Sequence, residues 1–519
     1  MMMKYVVTPE QMKKAEAGSE NNGISLAALM DNAGKSIARY AMDFLPYPEE
    51  ARAIILCGGG NNGGDGYVAA KELSRMGARV DVAVLSEPST ELCRDAFDRC
   101  RASISGELFS VADGLDIIRE HIYNADVIID CIFGTGFHGE IEPVTEDENP
   151  CRISIRPVTN IIKASNESDA IRISADIPSG CNALTGEAAK CVFEADYTLV
   201  LGAYKTGHMH SPCSEYSGEL DLADIGIPDC AYEEYEAVIS DDSFIEKLPK
   251  RKRISHKGDY GRLLNIAGSE NYVGAAWLST NAALRVGTGH VTLCSVKSVT
   301  SAVSITLHES TYLPLTDKAN IETEHINDIL SAAENATAVL IGCGTDCNED
   351  IAKITLSLIK YAGCPVIIDA DGLNSIAPHI NEIKDNNGMV ILTPHLKEFS
   401  RLSGCDMGYI QRNKLAAAKT FARMYNVHLL LKDAYSVYAA PDGFTAVNLS
   451  GNDALAKAGS GDTLAGTIAG LLAIGGEINE TVTAGAYIFG KAAEHAAIIR
   501  STRSILPSEI PEAYSQIFY

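Results

Sequence analysis

Basic residues are scarce in this chain of 519 residues, where 43 Lys and Arg face 68 Asp and Glu and the formal charge is −25. Such a surface repels phosphate backbones and anionic lipid, which argues against nucleic acid and membrane as partners. A small anion remains admissible, because a row of backbone N–H groups binds one whatever the net charge. Cysteine pairs at metal or redox spacing are also missing. None of the 14 cysteines forms a CxxC, and the CxxxC of Cys343 and Cys347 has no companion ligands. Reduced thiols in a cytoplasmic protein are expected, none of them in a nucleophile's context. His208 and His210 lack further ligands and His308-Glu309 does not continue to HExxH, so no transition metal is assigned. The stretch from Met1 to Lys14 has no apolar signal-peptide core. Leu464 to Ile474 is too short and too broken by Gly to cross a bilayer, and is expected as a buried helix. No repeat of roughly 20 to 50 residues is visible.

What remains is an ordinary globular composition, 46% hydrophobic and 21% charged. At roughly 150 residues per domain the length allows two to four domains. Two long regions alternate β-branched runs with helix-like segments, the pattern of α/β domains with parallel sheets covered on both faces. In the first, strands are expected at Arg52 to Cys57, Arg79 to Leu85, Val127 to Cys131, Ile171 to Asp176 and Tyr197 to Leu201. In the second they are expected at Arg262 to Ile266, His290 to Val296, Val339 to Ile341, Val366 to Asp369, Val390 to Leu392 and Leu429 to Lys432, followed by a hairpin across Asp442-Gly443 and two Ala/Gly-rich helices. An acidic stretch, Asp229 to Glu236, gives way to the four basic residues Lys250 to Arg253, read as a solvated linker face. The boundary is therefore expected near residue 240, with domains 1–240 and 241–519.

In the first domain the strand Arg52 to Cys57 runs into Gly58-Gly59-Gly60-Asn61-Asn62-Gly63-Gly64-Asp65-Gly66, with a helix expected from Tyr67. A glycine-rich turn into a helix offers free N–H groups to a phosphate or ribose, although its GxGxxG is by itself unspecific. Asn61, Asn62 and Asp65 are polar side chains that a bare phosphate loop does not need. Two more strand ends carry Asp130 with Gly134-Thr135-Gly136-Phe137-His138-Gly139, and Asp176-Ile177-Pro178-Ser179-Gly180. Ligands of open parallel sheets sit beyond carboxyl ends, so these loops would share one crevice. Their carboxylates suit acid/base work or a hard cation.

These motifs, with Leu29-Met30-Asp31-Asn32-Ala33-Gly34, resemble the YjeF N-terminal family of NAD(P)HX epimerases, which interconvert the R and S forms of hydrated NADH or NADPH. The resemblance implies a Rossmann-like three-layer sheet. It also implies hydrate contacts at Asn61, Asn62, Gly63, Gly64, Asp65, Gly134, Thr135, Gly136, Phe137, His138, Gly139, Glu140 and Asp176, and potassium on Asn62, Asp130 and Ser179. Glu16 and Asp31 depart from the family pattern. C6 of the hydrate is a carbinolamine carbon, so inversion passes through loss and return of water, with Asp176 preferred over Asp65 as the acid/base.

In the second domain Gly459-Ser460-Gly461-Asp462 enters an apolar helix. The turn makes an anion hole, and an Asp held there can deprotonate a hydroxyl attacking a terminal phosphate. No GxxxxGK(S/T) occurs, so P-loop chemistry is excluded. His256-Lys257-Gly258-Asp259-Tyr260-Gly261, Gly274-Ala275-Ala276, Gly342-Cys343-Gly344, Thr393-Pro394-His395 with Glu398, and the run from Gly451 to Asp462 resemble the ADP- or ATP-dependent NAD(P)HX dehydratases of the ribokinase-like superfamily. The resemblance implies a ribokinase-like three-layer sheet. The hydrate would lie on Ala275, Gly344, His395 and Asp462, and the adenine nucleotide on Lys432, Asp433, Ala434, Tyr435, Ser436 and Gly461. Asp433 and Lys397 stand where the family has Gly, which bears on nucleotide choice.

Together the domains imply a bifunctional repair enzyme, expected as a homo-oligomer. Asp462 would activate the C6 hydroxyl of the S-hydrate for phosphorylation and phosphate would then leave, restoring NAD(P)H; Mg²⁺ would accompany ADP or ATP, with Glu398 acting through water. A small-alcohol kinase with an accessory nucleotide-binding domain is the alternative.

Overall fold

The computed structural model describes residues 3–45, 47, 49–141 and 156–518. The chain forms two compact units, residues 2–236 and 237–519.

The N-terminal unit is built on a sheet of parallel strands in the spatial order Leu108–Ser110, Arg79–Val84, Arg52–Cys57, Val127–Cys131, Ile171–Ala175, Tyr197–Leu201, Glu219–Ala223. The inner strands are predominantly apolar because both faces are covered. Alternate side chains show this. Ile54, Leu56 and Ile128 join a core with Ile118, Ile122, Ile161 and Ile162 of the helices Leu115–Tyr123 and Arg156–Asn166. Cys57 and Cys131 instead meet Gly66 of the helix Asn61–Arg75. The chain builds outward from Arg52–Cys57 in one direction and from Val127–Cys131 in the other, so a topological switch point opens between these two strands.

The C-terminal unit has the parallel order Thr311–Pro314, His290–Ser295, Arg262–Ile266, Ala338–Ile341, Val366–Ile368, Val390–Leu392, His428–Leu431. The hairpin Ser436–Ala439 and Thr445–Asn448 follows antiparallel, turning at Gly443 (φ 99°), and Ala237–Ile239 pairs parallel with Thr445–Asn448. Leu464 to Ile474 is a buried helical stretch, as its composition requires, within Ser460–Ile474. Gly466 and Gly470 bring that helix onto Val273–Arg285. A Cβ on Gly466 would stand 2.1 Å from the Ser279 carbonyl oxygen.

Three edge strands escape the sequence pattern: Leu108–Ser110, Glu219–Ala223 and Thr311–Pro314 are short or half-exposed and lack the continuous apolar signal of the inner strands. The basic run is solvated, with Arg251 lying 4.0 Å from the ring centre of Tyr260. A larger correction concerns the glycine-rich loop. The helix begins at Asn61, not Tyr67, so Asn61 to Gly66 are its first turns. Their glycines serve approach rather than turning: a Cβ on Gly63 would lie 1.9 Å from the Gly58 carbonyl oxygen, and one on Gly66 2.8 Å from Cys57 Sγ and Cys131 Cβ. Gly63→Ala is accordingly expected to destabilise the N-terminal unit by about 1–3 kcal/mol in urea unfolding. Gly60→Ala, where a Cβ meets nothing within 4 Å, should shift the midpoint little.

Candidate active sites

At the N-terminal switch point Asp130, the penultimate residue of the strand Val127–Cys131, is fully buried. It accepts the Ser179 hydroxyl (2.6 Å), the N–H groups of Ser179 (2.8 Å) and Ile132 (3.1 Å), and the Ser174 hydroxyl (3.4 Å). Burial raises its carboxyl to about 6 against the opposing pull of these hydrogen bonds. Ser179 Oγ accepts the Phe133 N–H (2.9 Å), and the Asn62 amide donates to the Phe133 carbonyl (3.0 Å). Asn62, Asp130 and Ser179 therefore converge, through Phe133, on one group of hard oxygens.

Asp176 lies one strand further along, 7% exposed, with a left-handed backbone (φ 70°) that costs a non-glycine residue strain. Its N–H donates to the Leu199 carbonyl, and its own carbonyl accepts from His208 Nε2 (2.9 Å). Because His208 Nδ1 accepts the Lys205 N–H (3.0 Å), the proton sits on Nε2. Burial and then the Lys205 charge push that imidazole down to about 4, so it is neutral. The Lys205 ammonium, 1% exposed, pairs with Asp176 Oδ1, which also accepts the Leu201 N–H (3.0 Å). Burial first, then Asp176 and Glu16, raise the Asp65 carboxyl well above its ordinary value. Burial likewise raises Glu16. The site thus holds Glu16, Asp65, Asp176, Lys205 and His208. Glu16 stands out in the sequence only as a departure from the family pattern, and nothing in the local sequence marks Lys205 and His208 for the site.

The remaining predicted N-terminal residues frame this crevice. Asn61 Oδ1 accepts the Thr90 hydroxyl (2.7 Å), and Gly63 and Gly64 lie buried in the first turns of the helix. The run Gly134, Thr135, Gly136, Phe137, His138, Gly139 and Glu140 forms the loop after Val127–Cys131. There Phe137 N–H donates to Gly134, His138 Nδ1 lies 3.4 Å from Asn182 Nδ2, and Glu140 accepts the Lys190 N–H (3.2 Å). Asp31 pairs with Arg99 (3.0 Å).

In the C-terminal unit four neighbouring strand ends meet the helix that begins with Ser460. Ligand atoms of Cys343, Asp369 and Asp462 lie within 4.8 Å of one another. Asp369, 1% exposed, accepts the Lys432 ammonium (2.6 Å) and the Thr393 hydroxyl (2.7 Å) on Oδ1. Burial, then Asp369, push Asp462 up to about 6, against the pull of Lys432. Gly461 stands beside Lys432 and Asp369, and a Cβ there would lie 3.4 Å from the Lys432 ammonium. Gly344 abuts Ala275 and Tyr272. His395 caps the helix Leu396–Ser403: its Nδ1 accepts the N–H groups of Lys397 (3.1 Å) and Glu398 (3.2 Å), while Glu398 accepts the His395 N–H (2.9 Å). Burial pushes Glu398 up to about 7. Lys397 sits in the first helical turn, where a side chain is accommodated. Asp433 pairs with buried Lys414, which also donates to the Tyr435 carbonyl (3.3 Å). With Ala434 and Ser436 it makes the turn that follows Lys432, Ser436 Oγ bonding both the N–H and the carbonyl of Asp433. Asp369 is the residue missed here. It follows the strand Val366–Ile368 at the same carboxyl edge that singled out Asp130 and Asp176.

Residues 26–207 match the YjeF-related protein N-terminus family and residues 263–516 match NAD(P)H-hydrate dehydratase. The bifunctional NAD(P)H-hydrate repair enzyme Nnr of Thermofilum pendens is 34% identical over 486 residues, spanning 92% of this chain and 89% of that protein. The chain belongs to this family. Its relative of the same name from Moorella thermoacetica is 32% identical across 98% of this chain and 95% of its own length. A crystal structure of the ADP/ATP-dependent NAD(P)H-hydrate dehydratase of Bacillus subtilis, co-crystallised with ATP and Mg²⁺, is 30% identical and covers 54% of this chain and 97% of that one, with a TM-score of 0.47. The protein is a bifunctional NAD(P)H-hydrate epimerase and dehydratase with an α/β fold in each unit. Among the described residues no helix is long and apolar enough to cross a membrane.

Proposed function

We propose that the hydrate is epimerised on Asp65, Asp176 and Lys205 and dehydrated on Asp462, Asp369 and Lys432, with ADP or ATP as phosphate donor. The observation that carries the second half is the placement of Asp462 beside Gly461 and the Lys432–Asp369 pair at a helix N-terminus. There the N–H groups and the ammonium draw the terminal phosphate. Asp462 accepts the proton of the C6 hydroxyl as its oxygen bonds to phosphorus and the nucleoside mono- or diphosphate leaves. The ring nitrogen then expels phosphate from C6, and loss of the C5 proton restores the dihydropyridine. The Cys343–Asp369–Asp462 group is a poor Mg²⁺ cage, since a thiol is a soft ligand and Asp369 is already neutralised by Lys432. Mg²⁺ is therefore expected to enter with the nucleotide.

In the N-terminal unit two carboxyls sit in environments that separate their roles. Asp65, held protonated by burial, gives its proton to the departing C6 hydroxyl. Asp176, fixed by Lys205 and the Leu201 N–H, faces the resulting iminium and takes a proton from the returning water. The oxygens of Asn62, Asp130, Phe133 and Ser179 fit a potassium ion, which would anchor the loop Gly134 to Glu140 against the helix start. Replacing potassium by tetramethylammonium should weaken hydrate binding to an Asp462→Asn protein; unchanged affinity would reject the ion site.

The decisive assay follows NADH absorbance on mixed R- and S-NADHX with ADP or ATP in parallel. Full recovery is expected, and recovery of only the S fraction would remove the epimerase half. Since Asp462 must lose its proton to act as base, kcat should rise with pH through about 6 and then level.

A further inference from the structure

The run His256 to Gly261 lies away from the Asp462 site of its own unit. It precedes the strand Arg262–Ile266, whose opposite, carboxyl end faces the Asp462 cluster, roughly 15 Å of strand away. Here the turn Lys257–Tyr260 borders a cavity of about 570 Å³. Lys257, Arg262, His256 and His290 supply its polar wall, and Leu263 and Ala336 belong to its apolar floor. In a chain of net charge −25, no carboxylate lines it among the described residues. Neither Lys257 nor Arg262 has a carboxylate partner among those residues, and burial, with these two charges, holds the His290 imidazole below its ordinary value. Asp259 is the nearby acid in sequence, but it is engaged in closing the turn: it accepts the His256 N–H (2.9 Å) and lies 3.5 Å from the His256 ring.

The turn itself is rigidly seated. Gly289 N–H donates to the Tyr260 carbonyl (2.8 Å), and a Cβ on Gly289 would stand 1.9 Å from the Lys257 carbonyl oxygen. Tyr260 is buried and its hydroxyl bonds Ser255 (2.8 Å). The packed turn therefore fixes the backbone that carries Lys257, and Lys257 and Arg262 stand exposed at the cavity with no carboxylate in its lining, an arrangement that an anion would complement.

We propose that this cavity is a second anion site of the C-terminal unit, taking a small molecule with a phosphate group and an apolar body. Lys257 and Arg262 receive the phosphate, His290 and Asn335 orient it, and the floor covers the apolar part. The volume suits a molecule of mononucleotide size.

The test is calorimetric titration of the full-length protein with phenyl phosphate, the catalytic nucleotide site being filled beforehand with ADP and Mg²⁺. Saturable binding that weakens with salt is expected, with Lys257→Ala and Arg262→Ala each lowering affinity about tenfold or more. Lys353→Ala, an exposed cation elsewhere, should leave affinity unchanged, and all three should keep the dehydratase kcat. If an alanine variant melts early, Lys257→Met or Arg262→Gln replaces it. Unaltered phenyl phosphate affinity in folded variants of both positions would overturn the proposal. So would a changed sedimentation coefficient in them without ligand, which would make the cavity a contact between copies of the chain.

Discussion

Asp462→Asn is expected to lower the dehydration rate by about 10²–10⁴-fold while leaving interconversion of R- and S-NADHX intact. Each reaction is assigned to its own unit, so a single substitution should divide them. The side chain sits in the first turn of the helix Ser460–Ile474, within 4.8 Å of Asp369 and Cys343 by ligand atoms. Asn keeps the shape and loses the base, so thermal unfolding should change little or rise slightly, because a buried charge beside Asp369 is removed. The rising limb of the pH profile near 6 should vanish with the activity. Loss of both reactions in a protein that remains folded would sink the two-site assignment, and a retained limb would move the base elsewhere.

Lys205→Met should abolish epimerisation and also destabilise the N-terminal unit by about 3–5 kcal/mol, the cost of leaving a buried charge without its partner. Lys205 is 1% exposed and Asp176 7% exposed, so water cannot replace the lost ammonium cheaply. The double variant Lys205→Met, Asp176→Asn removes both charges and is expected to regain most of that stability but none of the activity. Conversion of the R-hydrate and the urea midpoint measure the two effects separately. If Lys205→Met keeps the epimerase rate, the pair is structural, and the proton chemistry must rest on Asp65 and Glu16.

The carboxylates proposed for the chemistry are legible where a β-branched run reaches an Asp. Asp130 is the penultimate residue of its inner strand, Asp176 follows one, and Asp462 follows a Gly-Ser-Gly turn, so local pattern alone marks the two strand ends and the helix start. The same rule would have found Asp369, which ends the expected strand Val366 to Asp369 but was given no role. Lys205 and His208 carry no such mark. They reach Asp176 only because the segment after Tyr197–Leu201 folds back toward it, and no short-range periodicity reports that return.

The glycines of Gly58 to Gly66 show the same division from the other side. Composition determined that the backbone there must approach something closely, which by itself suggests a loop around a ligand. The tertiary structure decided that much of the approach is to the protein itself, Gly63 to the Gly58 carbonyl and Gly66 to Cys57 and Cys131, so the helix starts at Asn61. By itself the sequence determined two α/β units, their inner strands and the main acids, because burial on both faces and helix N-terminal turns leave local signatures. Pairings across distant segments, Lys205 with Asp176, Lys432 with Asp369, and the cations around His290 that have no carboxylate partner among the described residues, were decided only in three dimensions. They depend on desolvation and on which charges are brought within reach, and neither quantity is local to the chain.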